Sequence, residues 1–276
     1  MTELTTLLAA PPSGTINHDW FTTIADALLN HTVFMVGERR HRLLEIEFYY
    51  NGDTHADPFA HSDPMQQSCA RWYFHRDEGT YRGGSFKGLD ISFGPEGMFG
   101  GILIRTIAAL DDGTIINGCS LSVDHMLATT GTSTVAELDG IVDGRSVVQT
   151  DSPLHLVADD TLDSTQVWAT GRVGLTLKRM YANPTMPEFI MKPYRFLIDP
   201  TIKKGKVHTV IALHVAGLEP DAIKAATGSP QHIIKRYIEA YNEGQAEGEL
   251  KRYRGKKLKT QDLCIMHGIW QRQFNV

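Results

Sequence analysis

The sequence is short of the features that would place it in several common classes. It has three cysteines in 276 residues, Cys69, Cys119 and Cys264, an odd number with no close pair. That argues against a disulfide framework and against a cysteine-based zinc knuckle, and it fits a reducing, cytoplasmic setting. No run approaches the roughly 20 apolar residues of a membrane helix. The leading MTELTTLLAAPPSG carries an acid and no basic stretch, so it does not read as a secretory signal. There is no internal repeat and no low-complexity tract. TYRGGSFKG (80–88) lacks the G-x-x-x-x-G-K-[ST] spacing of a phosphate-binding loop. With 42% hydrophobic and 21% charged residues the chain is of ordinary globular composition, long enough for one large domain or two small ones.

Charge is present but uneven. Residues 1–202 carry 14 Lys and Arg against 25 Asp and Glu, a net of −11, whereas residues 203–276 carry 13 against 7, a net of +6. A basic tail on an acidic body suits a polyanion such as nucleic acid, and equally suits a solvated basic face.

Periodicity predicts an irregular lead over 1–18, with Pro11, Pro12 and Gly14, then a helix capped by Asp19 and running to Asn30. β-like runs follow at 32–37, 42–50, 71–76, 88–94 and 101–110, with further strands at 153–158, 166–175 and 194–198. Residues 51–70, rich in Asp, Pro and His, read as a surface loop or short helix. SLSVDHMLATTG (120–131) reads as a helix ending at Gly131. LEPDAIKAATGSPQHIIKRYIEAYNEG (218–244) reads as helix, a turn at Gly228-Ser229-Pro230, and a second helix with Ile233, Ile234, Tyr237, Ile238 and Tyr241 on one face. That arrangement suits a helix-turn-helix DNA reader, or two helices packed on the body. The basic run KRYRGKKLK (251–259) follows it. The whole is an α+β fold with a mixed, largely antiparallel sheet and surrounding helices, in a domain over 1–202, followed by a helical, basic C-terminal extension over 203–276.

Several side chains can carry chemistry. Glu45 and Glu47 alternate with apolar residues, so on a strand they share one face. That face is either the solvent side or the floor of a pocket, where burial would make a carboxylate a useful base. His55 and His61 lie among Asp53, Asp57 and Asp63, which suits turns and caps or, with no defensible ligand spacing, a metal. Lys87 is a nucleophile if buried and otherwise a surface lysine. Arg105 interrupts the apolar run GILIRTIAAL and so needs a carboxylate, a phosphate or solvent. Asp124-His125 reads as a helix end or an acid–base pair.

Three collinear blocks give these residues a context: RLLEIEFYYNGDTHADPFAHS (42–62), GTYRGGSFKGLDISFGPEGMFGGILIRTIAAL (79–110), and ATGRVGLTLKR (169–179) with FIMKPYRFLID (189–199). In this order they resemble the alkyladenine (3-methyladenine) DNA glycosylase family over about residues 20–200. The resemblance implies that family's fold and N-glycosidic hydrolysis of a base flipped out of DNA, with no metal and no organic cofactor. It assigns Glu47 as the base that activates water, Tyr49 as a ring stacked on the extruded base, and His61 and Arg105 as groups near the base, sugar and water.

The departures from the family shape the expected substrate. The family's tyrosine-rich hairpin is replaced here so that Lys87 stands at the wedge position and Gly84 at the stacking position, with Tyr81 or Phe86 as substitutes in a shifted register. Gly94 stands where the family has a purine-reading Asn, and the loop between Glu47 and His61 is about three residues longer. The expected pocket is opened by Gly83, Gly84 and Gly94 and lined by His55, Asp57, Arg82 and Lys87. It would admit a bulky, polar, hypermodified base of the kind carried by some viral DNA, in repair or in antiviral defence. Lys235, Arg236, Lys251, Arg252, Arg254, Lys256 and Lys257 are the expected DNA contacts. No membrane and no obligate protein partner is called for. The alternatives are a non-catalytic nucleic-acid-binding protein on the same fold, and a hydrolase of a free nucleoside or nucleotide.

Overall fold

A computed structural model describes residues 2–274 apart from Pro12. The chain divides into two compact units: residues 1–56, 60–167 and 196–198 in one, and 57–59, 168–195 and 199–276 in the other. The unit that holds the basic tail is therefore larger than the expected 203–276.

The first unit opens with helix α1 (Thr2–Ala9), where the proline- and glycine-bearing lead had suggested irregular chain. Helix α2 (His18–Asn30) is capped by Asn17, whose side chain accepts from the Trp20 amide at 3.0 Å, with Asp19 inside the first turn instead of at the cap. Strands β1 (Thr32–Val36), β2 (Arg39–Gly52), β3 (His55–Ala56), β4 (Trp72–Phe74), β5 (Arg76–Asp77), β6 (Thr80–Tyr81), β7 (Leu89–Ser92), β8 (Phe99–Ala109) and β9 (Ile115–Asn117) follow. Helices α3 (Cys119–Thr130) and α4 (Val135–Val142) and strand β10 (Leu154–Ala158) complete it. Gly131 ends α3 in the left-handed conformation, as expected.

The sheet runs β10-β1-β2-β8-β7-β4, antiparallel at each step. Register fixes which side chains share a face, because directly paired residues of antiparallel strands project to the same side. One face carries Ile46, Phe48 and Tyr50 from β2, Ile102 and Ile104 from β8, Leu89 and Ile91 from β7, and Trp72 and Phe74 from β4, all buried. Helix α2 packs there: Phe21 stacks on Phe48 with ring centroids 4.9 Å apart, and Phe93 sits within 5.6 Å of Trp20, Phe21, Phe48 and Tyr50. The opposite face carries Glu45, Glu47, Tyr49, Leu103, Asp90 and Tyr73.

The second unit holds strand β11 (Trp168–Thr170), the short helix α5 (Met186–Phe189), and helices α6 (Lys206–Val215), α7 (Pro220–Thr227), α8 (Gln231–Ala246) and α9 (Thr260–Phe274), while strand β12 (Arg195–Leu197) belongs to the first unit from Phe196 on. The α7–α8 turn is where the sequence placed it, with Gly228 left-handed at the end of α7. Ile234 is buried with Val210, Leu213 and Ile223, and Tyr237 and Ile238 pack against that group. Helix α9 was not anticipated. It crosses α8 at two glycines, where a Cβ on Gly268 would stand 2.0 Å from the Tyr241 carbonyl and one on Gly244 would stand 2.0 Å from that of Ile265. Contact this close needs glycine on both helices. Among the described residues no helix is long and apolar enough to cross a membrane.

Candidate active site

The polar face of the sheet is built by an irregularity between its two longest strands. Leu43 pairs with Ile107 and Glu47 with Leu103, but between them Glu45 pairs with Thr106 and Ile46 with Ile104. Leu44 on β2 and Arg105 on β8 are thus extra residues that cancel each other. In a regular strand Arg105 and Thr106 would point to opposite faces, whereas a bulge re-aims its side chains. Here both reach Glu45: Arg105 Nε donates to Oε1 at 3.0 Å and Thr106 Oγ1 donates to Oε2 at 2.5 Å. Arg105 Nη1 also donates to Glu47 Oε2 at 3.2 Å, and the Tyr49 hydroxyl donates to the same oxygen at 2.7 Å. Both glutamates are buried, which excludes the solvent-side reading of the E-x-E pattern. Burial disfavours the charge of Arg105, but the Glu47 and Glu45 carboxylates outweigh it and hold the guanidinium above its usual range.

The same row continues across the sheet. Leu103 pairs with Glu47 on one side and with Asp90 on the other, and Asp90 pairs with Tyr73. Asp90 is 2% exposed. Its Oδ1 lies 2.7 Å from His75 Nε2, and its Oδ2 accepts from Gln66 Nε2 at 3.2 Å. The neighbouring Gly101 admits this contact, since a Cβ there would stand 2.4 Å from Asp90 Oδ2. Gln66 is delivered by a short helical turn, Pro64–Gln67, that Asp63 caps, and Asn51 Nδ2 donates to Ser62 Oγ at 3.1 Å. These bonds bring His61 over the row: its ring lies 4.3 Å from that of His75 and 6.3 Å from that of Tyr73. His61 is an exposed residue, yet partial desolvation where its ring packs, and then the adjacent His75, lower its imidazole below the ordinary range. Segment 51–70 is therefore not merely a surface loop.

Sequence reasoning missed Asp90, His75, Tyr73 and Gln66. The signal was there for Asp90, a lone acid between Leu89 and Ile91, the same pattern that singled out Glu45 and Glu47. Gln66 carried none.

Several expected lining residues lie elsewhere. His55 is on the aromatic face, its ring 5.7 Å from Phe21 and 5.9 Å from Tyr50. Asp57 belongs to the second unit, where it pairs with the buried Arg172. Gly94 also lies against Tyr50, where a Cβ would meet the ring at 2.6 Å. The Tyr81 hydroxyl donates to Asp139 at 2.6 Å and accepts from Arg76 at 2.6 Å. Lys87 is paired with Asp124, in mid-α3 instead of at a helix end, and His125 lies 2.8 Å from His41. Arg82 is half-buried; its charge acts on His61 and Tyr73. Gly84, left-handed, opens an exposed turn in which Phe86 is 73% exposed.

The expected DNA contacts, Lys235, Arg236, Lys251, Arg252, Arg254, Lys256 and Lys257, are all exposed side chains of the second unit. Lys251 and Arg252 also pair with Glu249 and Glu243. The Arg254 guanidinium lies 3.6 Å over the ring of Tyr181, which is itself 78% exposed.

The fold and site define an α+β protein with a large antiparallel sheet, whose polar face holds two buried glutamates, an arginine and a tyrosine. No family model matches the chain. It is 33% identical over 215 residues to an uncharacterized protein of Acanthamoeba polyphaga mimivirus, an alignment that covers 72% of this chain and 96% of the viral one. The chain belongs to the family of that protein.

Proposed function

We propose that the protein is a cytoplasmic DNA N-glycosylase on an alkyladenine-glycosylase-like fold, which hydrolyses the bond between a flipped-out modified base and its sugar. The observation that carries this reading is that Glu47, Tyr49 and Arg105 meet on one sheet face. In the step proposed, Glu47 takes a proton from water, the water oxygen bonds to C1′, and the C1′–N bond breaks. Its electron pair leaves with the base, which is protonated from solvent, and an abasic site remains. Arg105 and Tyr49 hold the Glu47 carboxylate as the acceptor. The exposed cations of the second unit would neutralise phosphates. Space for a bulky, polar base of viral DNA lies at Gly83 and Gly84, where nothing stands within 4 Å of an added Cβ, and not at Gly94, His55 or Asp57.

One observation favours a second reading, a nucleic-acid binder without catalysis: Glu47 has no exposed surface, as in a structural ion cluster. Glycosylase action therefore requires nucleotide entry to open this face. The deciding experiment incubates the protein with alkylated, deaminated and virus-derived modified DNA, and measures free base by mass spectrometry and abasic sites by alkaline cleavage. Release that vanishes in Glu47→Gln supports the glycosylase. Salt-sensitive DNA binding with no release supports the binder.

A further inference from the structure

Of the two rings expected as substitutes in the 80–88 turn, Tyr81 has its hydroxyl bound to Asp139 and Phe86 is 73% exposed, and neither packs on the polar face. An aromatic group does exist on the polar face, at the end of the row away from Glu47. Tyr73, His75 and His61 form one cluster, with centroids 4.3–6.3 Å apart. Beside them stands Asp90, a carboxylate gripped at one oxygen by His75 and at the other by Gln66. We infer that Tyr73, His75 and His61 with Asp90 form the base-holding half of the site, and that Asp90 selects a base presenting an amino or N–H donor edge, as cytosine- and adenine-type bases do. The inference rests on the glycosylase reading and names its substrate class.

Glu47, Leu103, Asp90 and Tyr73 are all buried, so a nucleoside lies along the row only once its entry opens this face, and the spacing of the two carboxylates then suits it. Glu47 and Asp90 flank Leu103 from opposite sides and project to the same face, two strand spacings or about 10 Å apart. The sugar would then meet Glu47 and the base edge would meet Asp90. A carboxylate has about four lone-pair sites, and His75 and Gln66 occupy two of them. An ionised carboxylate is acceptor-only, so it suits an exocyclic amino group and repels a carbonyl oxygen. His75 is not the group that meets the base: Nε2 is engaged by Asp90, and Nδ1 lies against Gly88, where a Cβ would stand 2.5 Å away. It acts as a positioning residue for Asp90.

The test uses the full chain and DNA carrying a single 2′-fluoro nucleotide, which resists cleavage, as cytidine, adenosine, uridine or inosine. Binding is measured by fluorescence anisotropy, beside base release from the matching cleavable DNA. The parent should bind the amino-edge nucleotides more tightly than their keto counterparts by about 5- to 150-fold, the range of one bidentate base contact. Asp90→Asn should abolish or invert that ratio, and melting curves should show the variant folded. If Asp90→Asn does not fold, Gln66→Leu, which releases one Asp90 oxygen, should lower the ratio at least threefold. Equal binding of amino and keto nucleotides by the parent, or an unchanged ratio in the variants, overturns the inference even where Glu47-dependent release is seen. A ratio that depends on Asp90, with no release from any DNA, upholds the base-holding role and sinks the hydrolase.

Discussion

The two faces of one sheet are put to opposite uses by the same strands. On one face Phe48, Tyr50, Ile91, Ile102 and Trp72 join the rings of α2 in a core with no charged side chain among them. On the other, one residue along each strand, Glu47, Asp90 and Tyr73 are held by hydrogen bonds and ring contacts. Burial is similar on both faces, so burial alone does not tell a core position from a site position. What differs is that buried charges are costly unless partnered, and here each sits in a network of named donors. The apolar face should therefore govern stability, and the polar face chemistry.

The largest expected effect tests the polar side. Glu47→Gln should lower base release by about 10²- to 10⁴-fold, the usual contribution of a general base. Glu45 still faces Arg105 in that variant, so urea denaturation should show a loss below the 3–5 kcal/mol typical of a broken buried pair. Phe48→Ala tests the apolar side: it should cost about 3–5 kcal/mol in the same denaturation assay. Its release per folded molecule in the cold should match the parent. A reversed pattern would break the division of labour between the faces.

A pH effect outside the sheet calibrates these values. Burial holds the His267 imidazole down at about 4, below its ordinary 6.5, beside His208 at 2.8 Å. A base whose native pKa is depressed contributes stability above its unfolded pKa and loses it as pH falls through the native one. The loss between pH 6.5 and 4 should reach about 3 kcal/mol, and His267→Gln should flatten the pH dependence of the urea midpoint. Gly101→Ala crowds Asp90 and Gln66, and should cost about 1–3 kcal/mol. It should also weaken the amino-edge preference in anisotropy while leaving the apolar face intact by near-ultraviolet dichroism. Smallest are Lys256→Ala and Lys257→Ala, each expected to reduce the slope of log affinity against log salt by about 0.9, with no change in base preference.

Much of the architecture was legible in local patterns. Alternation along LLEIEFYY marked β2 and its acids, and Gly228-Ser229-Pro230 marked the α7–α8 turn, because period and turn chemistry are local properties. The α1 helix was hidden by the prolines that follow it, and α9 by its weak amphipathic pattern and by a glycine that reads as a breaker until Tyr241 is found against it. The exchange of Leu44 and Arg105 across β2 and β8 left no trace in either strand's own sequence, since a bulge is a property of the pair.

By itself the sequence determined the long strands of the sheet, the α2, α3, α7 and α8 helices, the acidic body with its basic tail, and the presence of Glu45, Glu47 and Arg105 in apolar runs. Spacing and composition act along the chain and need no partner. Only the tertiary structure decided that both faces of β2 are buried, that Arg105 and Thr106 both turn to Glu45, and that Asp90 joins Glu47 in one row while His55 and Asp57 leave it. Those outcomes depend on strand register, which pairs residues dozens of positions apart and assigns each side chain its face.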